Sequence, residues 1–104
     1  MVKHIILWTL EENLTPDERR SVKKGIKENL EALHGKVPGL VQISVQTEPL
    51  ASSNADVMLD CTLESAEALA GYQSHPEHVK AADTYVRPYT KVRLCMDFET
   101  ATAP

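Results

Sequence analysis

Cysteine is scarce in this chain, and a basic excess and a long apolar run are missing altogether. Only Cys61 and Cys95 occur in 104 residues. Neither belongs to a Cys-x-x-Cys pair or another metal-ligand spacing, which argues against a thiolate metal site and a disulfide framework. Each sits within an apolar, strand-like run, so two reduced, buried thiols in a cytoplasmic protein are expected. Eleven Lys and Arg stand against fifteen Asp and Glu, giving a net charge of −4 and a pI near 5.5. That balance offers no footing for nucleic acid. Arg19-Arg20 and Lys23-Lys24 read as the solvated face of a helix. No stretch approaches the ~18 apolar residues of a membrane span. The opening Met1-Val2-Lys3-His4 carries no leader pattern, so neither export nor insertion is expected.

What is present is ordinary in amount, with 42% hydrophobic and 25% charged residues. It predicts one globular domain over residues 1–104, with a frayed tail from Thr100 to Pro104. Val2 to Leu10 reads as a mostly buried strand. Thr15-Pro16-Asp17-Glu18 is a capping box with proline at the first helical position. Val22, Ile26, Leu30 and Leu33 then form one apolar helical face, ending near His34 with Gly35 as the stop. Leu40 to Glu48 alternates, placing Val41, Ile43, Val45 and Thr47 on one side of a second strand. A third strand, Asp56 to Leu63, turns Val57, Leu59, Cys61 and Leu63 to one face. Ser65 caps a second helix, which Pro76 interrupts; a new helix carries Val79, Ala82 and Val86 on to Pro88. Lys91 to Phe98 is the last strand, with Val92, Leu94, Met96 and Phe98 on one face.

The order β-α-β-β-α-β predicts an α+β, ferredoxin-like fold, a four-stranded antiparallel sheet with both helices on one face. The other face holds Lys3, Ile5, Leu7 and Thr9 from the first strand and Asp56, Met58 and Asp60 from the third. It is too apolar for bare solvent, and a second copy covering it would make a homodimer through the open sheet face. Asp60 is expected to meet Lys3 or Arg93 there.

Chemistry concentrates in Tyr72-Gln73-Ser74-His75-Pro76-Glu77-His78. Histidine titrates near neutrality and a phenol can donate to a carbonyl oxygen, so Tyr72 and His78 form a candidate acid/base pair. His78 would act as base and Tyr72 would polarise a carbonyl, with His4 and Trp8 facing the same space. In the competing reading His4 and His78 are core-edge residues bonded to backbone and Tyr72 simply packs. His75 and Pro76 are read as structural, capping and holding the helix break. No acidic or cysteine partner stands at a suitable spacing from His75 and His78, so no metal is expected.

The segment Tyr72-x-x-His75-Pro76-x-His78, with Val37-Pro38-Gly39, Thr62-Leu63-Glu64-Ser65 and Met96-Asp97-Phe98, resembles the stress-responsive A/B-barrel (Dabb) family. The resemblance spans residues 2 to 99 and implies a dimeric α/β barrel working without a cofactor. A plant polyketide cyclase of the family closes a linear thioester by aldol condensation. By that resemblance its catalytic pair falls on Tyr72 and His78, a pocket histidine on His4, and further pocket positions on Trp8, Leu59, Tyr89 and Leu94. A pocket tyrosine and a strand-three histidine of the cyclase are replaced by Ile26 and Val57, so the pocket shape does not carry over. Magnesium, held by backbone carbonyls in some plant relatives, is not transferred. Three functions remain open: binding of a small carbonyl-containing or aromatic molecule, cofactor-independent cyclase or lyase chemistry with monooxygenase chemistry as a further variant, and a non-catalytic structural stress protein.

Overall fold

The computed structural model describes residues 1–100. Its elements are β1 (Val2–Leu10), α1 (Pro16–Glu31), β2 (Leu40–Gln46), β3 (Val57–Leu63), α2 (Ala66–Ser74), α3 (Pro76–Ala81) and β4 (Thr90–Glu99). A π-helical turn, Ala82–Val86, and a 3-10 turn, Arg87–Tyr89, join α3 to β4. The four strands form one antiparallel sheet in the order β2-β3-β1-β4. The ferredoxin-like α+β architecture is therefore the observed one.

Local chemistry explains the elements. Thr15 accepts from Glu18 N, and the Glu18 carboxylate accepts from Thr15 N, closing the capping box at the start of α1. The helix stops at Glu31, three residues before His34, and Gly35 takes φ +86° in the turn beyond. Gly39 is fixed twice over. Its φ is +80°, and a Cβ there would lie 2.6 Å from Ala68 Cβ, so β2 and α2 can approach this closely only at glycine. Edge strand β2 is guarded by α1: Glu31 accepts from Val45 N at 2.9 Å and Lys27 donates to Val45 O at 2.8 Å.

The helices and sheet share one core, with Ile26, Leu30, Val45, Leu59 and Leu63 fully enclosed. Two sequence expectations shift here. A register slip between Leu40 and Gln42 places Leu40, not Val41, on the buried side, and Val41 is 36% exposed. Val79 also faces solvent, because α3 restarts at Pro76 and presents Ala81, then Ala82, to the core.

Register fixes the two faces of the sheet. On the helix side His4 is paired with Asp97, Ile6 with Cys95 and Trp8 with Arg93. On the open side Lys3 is paired with Phe98, Ile5 with Met96 and Leu7 with Leu94. β4 thus turns polar residues toward the helices and apolar ones away, leaving Leu94 63% and Met96 66% exposed. Cys95 is exposed as well, a departure from the buried thiol expected, because helical cover does not reach this edge strand. Lys3 Nζ lies 2.6 Å from Asp60 Oδ1; Arg93, on the other face, does not meet Asp60. Thr100, expected to fray, donates from its N to Met1 O at 2.9 Å, while the remaining tail residues lie outside the described residues. Among the described residues, no helix is long and apolar enough to cross a membrane.

Candidate functional site

The helix-facing side of β1 carries two polar-capable side chains into the core, His4 and Trp8, and both are buried. Strand alternation puts them on one side, and the β1–β4 register sets Asp97 directly beside His4. The Asp97 carboxylate accepts a short hydrogen bond from His4 Nδ1–H. In the neutral ring that bond leaves Nε2 as the acceptor nitrogen. Cys95 Sγ lies 3.8 Å from His4 Nδ1 and 3.5 Å from Asp97 Oδ1.

His78 comes from the other side, in the first turn of α3. His75 ends α2 and caps α3, its Nδ1 accepting from Glu77 N at 3.1 Å, and Pro76 occupies the first helical position. This break aims His78 back at the sheet, and its Nδ1–H donates to Gln73 O in the last turn of α2 at 3.1 Å. Burial pushes the His78 pKa below its ordinary value. The cationic Arg87 and Arg93, and His4, push it the same way, against the opposing hydrogen bond to Gln73. A neutral imidazole at physiological pH follows.

Between these groups lies a cavity of about 90 Å³. His4, Ile6, Trp8, Leu30, Leu59 and Ala82 form its inner wall, and Gln73, His78, Arg87, Thr90 and Arg93 its polar side. Of the residues picked from sequence, the structure brings His4, Trp8, Leu59 and His78 to one cavity. It does not bring the others. Tyr72 is wholly buried behind the imidazoles, its ring centroid 4.4 Å from that of His78 and 6.0 Å from that of His4. Its hydroxyl sits 3.9 Å from Cys61 Sγ instead of facing the cavity, and burial raises the pKa of both groups, the thiol's to about 12. Val57 is buried beside Trp8 without lining the cavity. Tyr89 borders a separate groove between α1 and the 3-10 turn. Leu94 lies on the open face, because the register pairs it with Leu7.

Asp97, Arg87, Gln73 and Cys95 went unrecognised as site residues. The signal was present: Arg93, Cys95 and Asp97 alternate against four apolar neighbours, and that polar side is the one facing His4. His4, Cys95 and Asp97 also offer three potential metal-donor atoms within 4.8 Å of one another, a set the sequence spacing did not reveal. A cation on His4 Nδ1 would displace the proton that Nδ1 donates to Asp97, so metal binding there and this hydrogen bond exclude each other.

A model of the stress responsive A/B barrel domain matches residues 2–100. The chain belongs to the Dabb family. No significant match is found among curated proteins. Among solved structures, a dimeric ferredoxin-like protein of unknown function from Bacteroides fragilis is similar at 28% identity over 95% of each chain, with a TM-score of 0.89. A hydroxynitrile lyase from Passiflora edulis shares the fold at 14% identity over 99% of this chain and 96% of its own, TM-score 0.76. An antibiotic biosynthesis monooxygenase homologue from Nitrosomonas europaea does so at 14% identity over 98% and 100%, TM-score 0.74. This Dabb chain therefore shares its fold with proteins of different chemistry, and the site must speak for itself.

Proposed function

We propose that this Dabb protein binds a small carbonyl compound in the cavity between sheet and helices and moves a proton on it with the two histidines that line the cavity, His4 and His78. One observation carries the reading. Both imidazoles on the cavity have Nδ1 committed to a fixed acceptor, Asp97 for His4 and the Gln73 carbonyl for His78. Each ring is thereby held in orientation, with Nε2 left to accept a proton from a bound molecule. At about 90 Å³ the cavity is far below the ~300 Å³ of drug-sized sites. A ligand of few heavy atoms suits it; a linear polyketide does not.

The role assigned to Tyr72 changes with this placement. It acts as a wall that positions both rings, and Tyr72→Phe should alter thermal stability more than ligand response. A homodimer through the open face is part of the same reading, supported by the exposed Leu94 and Met96 and by the dimeric Bacteroides relative.

Amide and imidazole NMR spectra recorded while small ketones are added test the proposal. Shifts should centre on His4, Trp8 and His78, and hydrogen–deuterium exchange at the carbon beside the carbonyl should slow sharply in His78→Ala. Exchange that survives both His78→Ala and His4→Gln would remove the proton-transfer role.

A further inference from the structure

The cavity is cationic in a chain whose overall charge is −4. Two guanidiniums, Arg87 and Arg93, border it together with His4 and His78, and no acidic residue is among its lining. Arg87 is held by Asp83 of the preceding π-helical turn. Arg93 has no carboxylate partner among the described residues; its strand neighbour on the same face is the Cys95 thiol, a weak acceptor. Arg93, with no carboxylate of its own, gains most from an anion entering the recess, and a guanidinium matches a carboxylate through paired N–H donors. The remaining wall, Ile6, Trp8, Leu30 and Leu59, offers nothing for a second charge.

We infer that the ligand is a short-chain oxo acid, its carboxylate held at the cavity mouth by Arg93 and Arg87 and its carbonyl-bearing end facing the two imidazoles. The inference rests on the proton-transfer reading above for the carbonyl and adds the carboxylate. The chemistry balances without a co-reactant. An imidazole Nε2 takes a proton from the carbon beside the carbonyl; the electron pair of that C–H bond becomes the new C=C bond, and the carbonyl π pair moves onto oxygen to give the enolate. The same imidazolium then returns a proton to carbon, or a deuteron in D2O.

Pyruvate and pyruvamide are nearly the same size and differ in the charge of one end, so they separate the two layers of the claim. Calorimetric titration of the full chain should show pyruvate binding about 10-fold or more tighter than pyruvamide, the scale of hydrogen bonds to a charged group. Arg93→Gln should reduce that preference toward parity, and Arg93→Lys should keep part of it. Both substitutions lie on an exposed side chain, and a thermal melt confirms that each variant folds. Equal binding of the two ligands by the unaltered protein, or a preference that survives Arg93→Gln combined with Arg87→Gln, overturns the carboxylate assignment. Equal binding with methyl exchange on both ligands would leave the proton-transfer reading standing alone. Tighter binding of pyruvate with no methyl exchange would do the reverse, and binding of neither removes both.

Discussion

β1 and β4 lie side by side in the sheet, and they sort their side chains in opposite senses. β1 buries Val2, Ile6, Trp8 and Leu10 under the helices and leaves Lys3 and Thr9 half-exposed on the open face. β4 turns Arg93, Cys95 and Asp97 to the helix side and Val92, Leu94, Met96 and Phe98 to the open one. The hydrophobic core therefore ends at β1. Where it ends, a strip of polar side chains meets His4, and a cavity opens with charged walls. The apolar side of β4 gains nothing from the helices, and its natural cover is another protein surface. The contrast separates what holds the fold together from what makes the site and the assembly.

The comparison breaks most sharply where the same truncation is made on the two strands. Ile6→Ala, under the helices, should cost about 2–5 kcal/mol in denaturant unfolding, a transfer loss plus a cavity. Leu94→Ala should leave the unfolding of a monomer within about 0.5 kcal/mol, as surface substitutions do. A loss at Leu94 as large as that at Ile6, measured at concentrations where the protein is monomeric, would dissolve the contrast.

Next comes the seam between the strands. Asp97→Asn keeps the size of the side chain but removes the carboxylate that orients His4. Carbon–deuterium exchange on a bound ketone should fall about 100-fold, within the range of a positioned base. Unfolding free energy should move far less, because Asp97 is exposed.

On the outer face, Leu94→Asp and Met96→Asp should each weaken self-association roughly 30-fold, the effect of losing a contact worth about 2 kcal/mol. Mass by light scattering across a dilution series reads this directly. Unchanged mass in the double variant would move the interface elsewhere on the molecule.

The smallest effect is on pH dependence. His78 has a lowered pKa in the folded chain, so the unfolded chain binds more protons just below the ordinary imidazole value of 6.5. Stability from this group is full above that pH and is lost as pH falls toward the folded value. His78→Gln should flatten this acid-side slope, and the His78 ring resonances should titrate below 6.5. A midpoint above that value would mean that the ring is not held neutral by its surroundings.

Much of the fold was legible in sequence because its signals are local. The capping box at Thr15, the four-residue spacing of Val22, Ile26 and Leu30, and the proline break at Pro76 each act within a few residues. The alternation of β4 was equally plain. Which side would face the helices was not, since alternation fixes two faces without saying where either points. That choice is made by pairing with a strand some ninety residues away, and with it went Leu94, Asp97 and the exposure of Cys95. The bulge that moved Val41 outward is similarly a property of two strands together. The motif around Tyr72 placed two rings in one neighbourhood without giving their directions. His78 and Tyr72 are in contact, but the phenol points to Cys61, a direction no spacing encodes.

The bond between His4 and Asp97 joins residues 93 positions apart. During synthesis the imidazole is therefore made long before the carboxylate that will orient it. Until β4 arrives, β1 is an unpaired sheet edge, and the His4 ring has no carboxylate to orient it. Closing so long a separation is the slowest kind of contact to make. Helix α1, β2, β3 and the proline break can all settle beforehand, and the site stays unformed through that interval. A chain interrupted before β4 would thus keep a sticky edge and lack Asp97 beside His4, and completing the sheet both covers that edge and orients the ring.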